Sequence, residues 1–139
     1  MTYLLDTNVW ARYLNGRSPK IRKKFRTIDL TQVFSCSIVK SELIYGAFKS
    51  RNPDRTYRKQ QELLSLFVSF PFDDAAALAF GRLNAQLEAK GEMIGIKDLQ
   101  IASIAIAKNL ILVTHNIREF QRIEELKLQD WEVETRADN

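Results

Sequence analysis

The sequence predicts an α/β domain, a central parallel sheet of about four strands with helices on both faces. Three observations carry that expectation. Short, mainly apolar runs at Thr2–Leu5, Val33–Cys36 and Leu110–Val113 have the length and composition of strands buried on both sides. Stretches with helical periodicity separate them. The chain is 139 residues long and 45% hydrophobic, enough to build the core of one domain without covalent staples.

In chain order, Thr2–Leu5 ends at Asp6, and Val9–Leu14 reads as a short helix closed by Asn15-Gly16. Ser18-Pro19 has the form of an N-cap followed by a first-turn proline, opening a basic helix over Ile21–Ile28. After the strand Val33–Cys36, Ser37 stands where an N-cap belongs, ahead of a helix whose stripe is Ile38, Val39, Leu43 and Ala47. Asn52-Pro53-Asp54 breaks that helix, and Arg55–Leu66 resumes a polar one. Ser69–Phe72 is short and extended. Asp73 caps the alanine-rich run Ala75–Ala89, and Gly91 terminates it. Ile96–Lys108 is apolar almost all round, the pattern of a helix buried on most sides. Thr114-His115-Asn116 then leads from the last long strand into Ile117–Phe120, and residues 135–139 read as a loose tail.

Composition excludes several classes. A single cysteine, Cys36, rules out an internal disulfide framework and a metal site with two or more thiolates, and it fits a reducing compartment. The first residues lack the basic flank of a secretory signal, and no run approaches the about 20 apolar residues of a membrane span. A cytoplasmic protein without membrane contact is expected. Charge is uneven: residues 1–60 hold 13 Lys and Arg against 4 acids, and residues 61–139 hold 8 against 13. Within the basic half, Arg12, Arg17, Lys20, Arg22, Lys23, Lys24 and Arg26 follow one another with no acid between them. Such a run reads equally well as a solvated helix face or as a surface contacting phosphates.

In an open parallel sheet, ligands bind beyond the carboxyl ends of the strands, near the point where strand order reverses. Asp6 and Thr114-His115-Asn116 follow strands directly. Glu42 lies in the first turns of the helix after Val33–Cys36, where side chains lean back toward the same edge, and Asp98 opens the apolar helix. Singly, Asp6 and Asp98 read as helix caps or dipole partners. Together with Glu42 they bring three carboxylates to one crevice, where they repel unless a cation neutralises them. An all-oxygen set suits Mg²⁺ or Mn²⁺, and such ions in a basic protein are the usual apparatus of phosphodiester hydrolysis. His115, the lone histidine, has no nucleophile beside it for a triad, and no glycine-rich phosphate loop is present.

Four segments carry a family resemblance: Tyr3-Leu4-Leu5-Asp6-Thr7-Asn8; Ser37 through Ala47 with Glu42 at its centre; Ile94 through Ala102 with Asp98; and Leu112-Val113-Thr114-His115-Asn116-Ile117-Arg118-Glu119-Phe120. In order and spacing they resemble the motifs of PIN domains, specifically the VapC toxins of bacterial toxin–antitoxin pairs. The resemblance implies a PIN-like three-layer sandwich over residues 1–134. It also implies a Mg²⁺-dependent endoribonuclease, with Mn²⁺ as substitute, that cleaves RNA such as a tRNA and is held inactive by a VapB-like antitoxin. Carried over by motif position, Asp6, Glu42 and Asp98 form the metal site and Thr114 orients a water or ligand. The family's fourth acidic position falls on Asn116, with Glu119 one helical turn later, and the fourth role stays open between them. Arg17, Lys20, Lys23 and Lys24 are the candidate RNA contacts, and Trp10, Tyr13, Tyr45 and Phe48 the candidate surface for a homodimer or the antitoxin. The rival reading is a catalytically silent RNA- or partner-binding module on the same fold. A haloacid dehalogenase type phosphatase, which also starts strand-Asp, wants a second Asp where Asn8 stands.

Overall fold

The computed structural model describes residues 1–133; the tail expected at 135–139 lies outside the described residues. Strands β1 (Tyr3–Leu5), β2 (Val33–Cys36), β3 (Ser69–Phe70), β4 (Ile111–Val113) and β5 (Leu128–Gln129) form one sheet in the order β3-β2-β1-β4-β5, every neighbouring pair parallel. Tyr3 sits opposite Val33 on one side and Ile111 on the other. Consecutive residues Leu4 and Leu5, and again Leu112 and Val113, are fully buried. Neighbours along a strand point to opposite faces, so both faces of the sheet are covered, which is why these strands are apolar runs and not alternating ones.

The sequence suggested about four strands, and the structure adds β5. It is two residues long, both half-buried, within the mixed polar stretch Lys127-Leu128-Gln129-Asp130, and it offers no pattern to read.

The helices are α1 (Thr7–Leu14), α2 (Pro19–Thr27), α3 (Ser37–Phe48), α4 (Pro53–Leu64), α5 (Asp74–Lys90), α6 (Ile96–Ala107) and α7 (Ile117–Phe120), with a 3-10 turn at Leu30–Gln32. The expected caps hold at α2 and α5: Ser18 accepts from the Ile21 amide, Asp73 from the Ala76 amide, and Gly91 closes α5 at φ 67°, a left-handed conformation that glycine adopts without steric cost. Ser37 is not a cap. It is the first residue of α3, with Cys36 in the cap position, and its hydroxyl instead accepts the Phe72 amide, 3.3 Å, tying the end of β3 to α3.

Trp10, expected on the surface, is fully buried. α1 turns Val9 and Trp10 inward, and the indole meets Phe67 edge-on at 4.9 Å and Phe25 at 5.9 Å. Tyr13 stacks on Phe25 at 3.8 Å and is half-buried, whereas Tyr45 and Phe48 are exposed as expected. No helix among the described residues is long and apolar enough to cross a membrane.

Candidate active site

Strand order reverses between β1 and β4, and the residues leaving those strands build the site. Asp6 ends β1 and caps α1, its carboxylate accepting the Val9 amide at 3.0 Å and the Thr114 hydroxyl from the end of β4. Asp6 is only 7% exposed and Thr114 is fully buried. Burial raises the Asp6 pKa; the bonds from Thr114 and Val9 oppose that shift, and the charges of Glu42 and Glu132 add to it. Thr114 is bound in turn: its hydroxyl oxygen accepts the Asn116 amide at 3.0 Å, so one side chain sets both the carboxylate and the turn into α7.

Glu42, half-buried on α3, accepts the Thr7 hydroxyl at 2.8 Å. Asp98 stands in the first turn of α6, and its pKa is raised to about 6, chiefly by burial and then by the charges of Glu119, Glu42 and Asp6. A carboxyl that responds to three others lies among them. The carboxylates drawn from β1, α3 and α6 therefore share one electrostatic neighbourhood.

Asn116 and Glu119 form a unit beside it. The Asn116 amide donates to Glu119 Oε2 at 2.9 Å, and the backbone N–H of Gly95, which precedes α6, donates to Oε1 at 3.2 Å. Those two bonds hold the Glu119 pKa below its usual value, so it stays charged and ties the start of the helix bearing Asp98 to α7. Sequence reasoning gave Thr7 and Gly95 no role, although both lie within the quoted motifs; a hydroxyl directly after Asp6 was the available signal.

Glu119→Gln tests this unit. Above about pH 7, where Asp98 is ionised, loss of one negative charge should weaken Mg²⁺ binding, and the Asp98 titration followed by carboxyl NMR should move down from about 6. If neither changes, Glu119 is a surface charge only.

Of the candidate RNA contacts, Arg17, Lys20 and Lys23 are exposed. Lys20 donates to the Glu132 carbonyl at 3.1 Å, and Lys24 lies over the Trp131 ring at 5.8 Å, so part of the basic face also packs the C-terminal segment.

The sequence matches the PIN domain family over residues 3–126. The chain belongs to the PIN-domain family, among the VapC proteins. It is 34% identical over 131 residues to the tRNA(fMet)-specific endonuclease VapC of Salmonella typhimurium, covering 94% of this chain and 98% of that one. It is 37% identical over 133 residues to Ribonuclease VapC2 of Rickettsia felis, covering 95% and 99%. Among solved structures, the DNA-bound VapBC of Salmonella typhimurium superposes on this PIN domain with a TM-score of 0.88 at 34% identity, covering 94% and 98%. VapBC2 of Rickettsia felis gives 0.86 at 36% identity, covering 94% and 99%.

Proposed function

We propose that this PIN domain is a divalent-metal-dependent endoribonuclease, the toxin of a VapBC-type pair, restrained by a cognate VapB-like antitoxin and acting on RNA, tRNA foremost. The observation that supports it best is the electrostatic convergence of Asp98 with Asp6, Glu42 and Glu119 at the strand-order reversal of a nuclease fold. A silent binding module has no use for acids gathered so closely that Glu119, Glu42 and Asp6 all add to the proton affinity of Asp98. The donor set is oxygen-only and anionic, which fits a hard cation. Asp6, Glu42 and Asp98 would hold Mg²⁺ or Mn²⁺, which when bound supplies positive charge against the phosphodiester and acidifies water. The chain's part is positional: Val9 and Thr114 orient Asp6, Thr7 orients Glu42, and Glu119 anchors the start of α6.

Purified protein should cleave tRNA with Mg²⁺ or Mn²⁺ and not in excess EDTA; cleavage in chelator would overturn the reading. Arg17 and Lys23, both exposed, face solvent where RNA phosphates would run. Neutralising each should lower the log–log salt slope of RNA binding by roughly 0.7–0.9, and an unchanged slope returns the run to a solvated face. Tyr45 and Phe48, 62% and 63% exposed, are the candidate surface for a homodimer or for the antitoxin.

A further inference from the structure

The loop after β4 and the segment after β5 bring together a second group of ligand-type side chains, distinct in identity from Asp6, Glu42 and Asp98 although the charge of Glu132 reaches Asp6. His115 is the chain's single histidine, and its ring is exposed. Its Nδ1 lies 2.9 Å from Asp130 Oδ2 and 3.7 Å from Glu132 Oε2, and one ligand atom from each of the three falls within 4.8 Å of the others. A tetrahedral ion with bonds of about 2.0–2.2 Å sets its donors about 3.3 Å apart, and the two imidazole separations bracket that value.

The carboxylates are the informative partners. Asp130 and Glu132 are two residues apart, and the side chain of each is only 10% exposed. Asp130 Oδ1 accepts the Glu132 amide at 2.9 Å, which leaves Oδ2 toward the imidazole. Glu132 Oε1 is ion-paired with Arg12, which leaves its Oε2 toward the same ring nitrogen. Two carboxylates, each nine-tenths buried, thus meet one imidazole nitrogen, and Arg12 offsets the charge of only one of them.

We propose that His115, Asp130 and Glu132 bind a divalent transition-metal cation of the zinc class, with a solvent molecule completing its coordination. One nitrogen donor with two carboxylates separates this site chemically from the oxygen-only set of Asp6, Glu42 and Asp98, since imidazole favours zinc, nickel or copper over magnesium. A bound ion joins the loop carrying Thr114 and Asn116 to the end of β5. It thereby fixes the side chains that orient Asp6 and Glu119. The inference does not rest on the ribonuclease reading, because it concerns binding alone.

The test uses the full chain without a purification tag, in saturating Mg²⁺, titrated with Zn²⁺ while the imidazole resonances of the single histidine are followed by NMR. The expected result is a saturable shift complete at one equivalent. His115→Ala, a truncation of an exposed ring that leaves the core untouched, should weaken Zn²⁺ binding at least ~10-fold by calorimetry, the lower end of what loss of even an outer-sphere partner costs. Asp130→Asn should do the same, and Asp6→Asn should leave binding intact. An imidazole signal indifferent to Zn²⁺ overturns the proposal. So does Zn²⁺ binding that survives His115→Ala and disappears with Asp6→Asn, which would place the ion among the other carboxylates.

Discussion

Asp6→Asn should lower RNA cleavage by at least ~10²-fold while the protein stays folded. The fall is set at the upper end of what loss of an outer-sphere partner costs a metal site, because the role proposed for Asp6 is that of a direct ligand. Folding should survive for a local reason. Asp6 caps α1 by accepting the Val9 amide at 3.0 Å, and asparagine caps helices about as well as aspartate. The side chain is also 7% exposed, with its pKa raised mainly by burial, so exchanging a carboxylate for a neutral amide relieves a desolvation cost when no cation is present. The cation-free melting temperature of the variant should therefore equal or exceed that of the parent, and the stabilisation by Mg²⁺ should shrink. Cleavage rates and melting curves on the same samples check both halves. A fully active variant, or one inactive because it has unfolded, removes Asp6 from the site.

The legible parts of this protein are those where one residue type does one local job. Ser18-Pro19, Asp73 and Gly91 announce helix ends through backbone chemistry, and the structure places them there. Asp6, Glu42 and Asp98 are legible as candidates because carboxylates beside strand ends and in the first turns of apolar helices stand out against their surroundings. Ser37 misleads because a hydroxyl before a helix has two uses, and here it serves the Phe72 amide across 35 residues, a partner no local window contains. Trp10 misleads for a related reason: an eight-residue helix with exposed Arg12 beside it gives no sign that Phe25 and Phe67 close over the indole. Long-range pairs such as Thr7 with Glu42 and Glu119 with Gly95 exist only once the sheet has set the distance between their elements.

The pH response of metal-free and metal-bound protein should run in opposite directions. Asp98 titrates at about 6 in the folded chain against 3.8 as its ordinary value, so the folded state holds its proton more tightly than the unfolded one. Its contribution to stability is fully present below 3.8 and is lost as pH rises through about 6; Asp6, also raised, acts in the same sense. Glu119, Asp29 and Asp73 have lowered values and act oppositely, and their contributions are complete only above their ordinary values, 4.5 for Glu119 and 3.8 for the aspartates. Above 4.5, where Glu119 has made its gain, and up to about 6, the cation-free melting temperature should therefore fall as pH rises. Magnesium reverses this, because it competes with the Asp98 proton. Below pH 6 its affinity should drop about tenfold per pH unit for the one proton displaced. The melting-temperature gain from Mg²⁺ should be small at about pH 5 and rise to a plateau above about pH 7. In Asp98→Asn the cation-free slope should flatten and the Mg²⁺ gain should largely vanish. A gain independent of pH across that window would mean that the ion does not share its site with the Asp98 proton, and Asp98 would lose its place as a ligand.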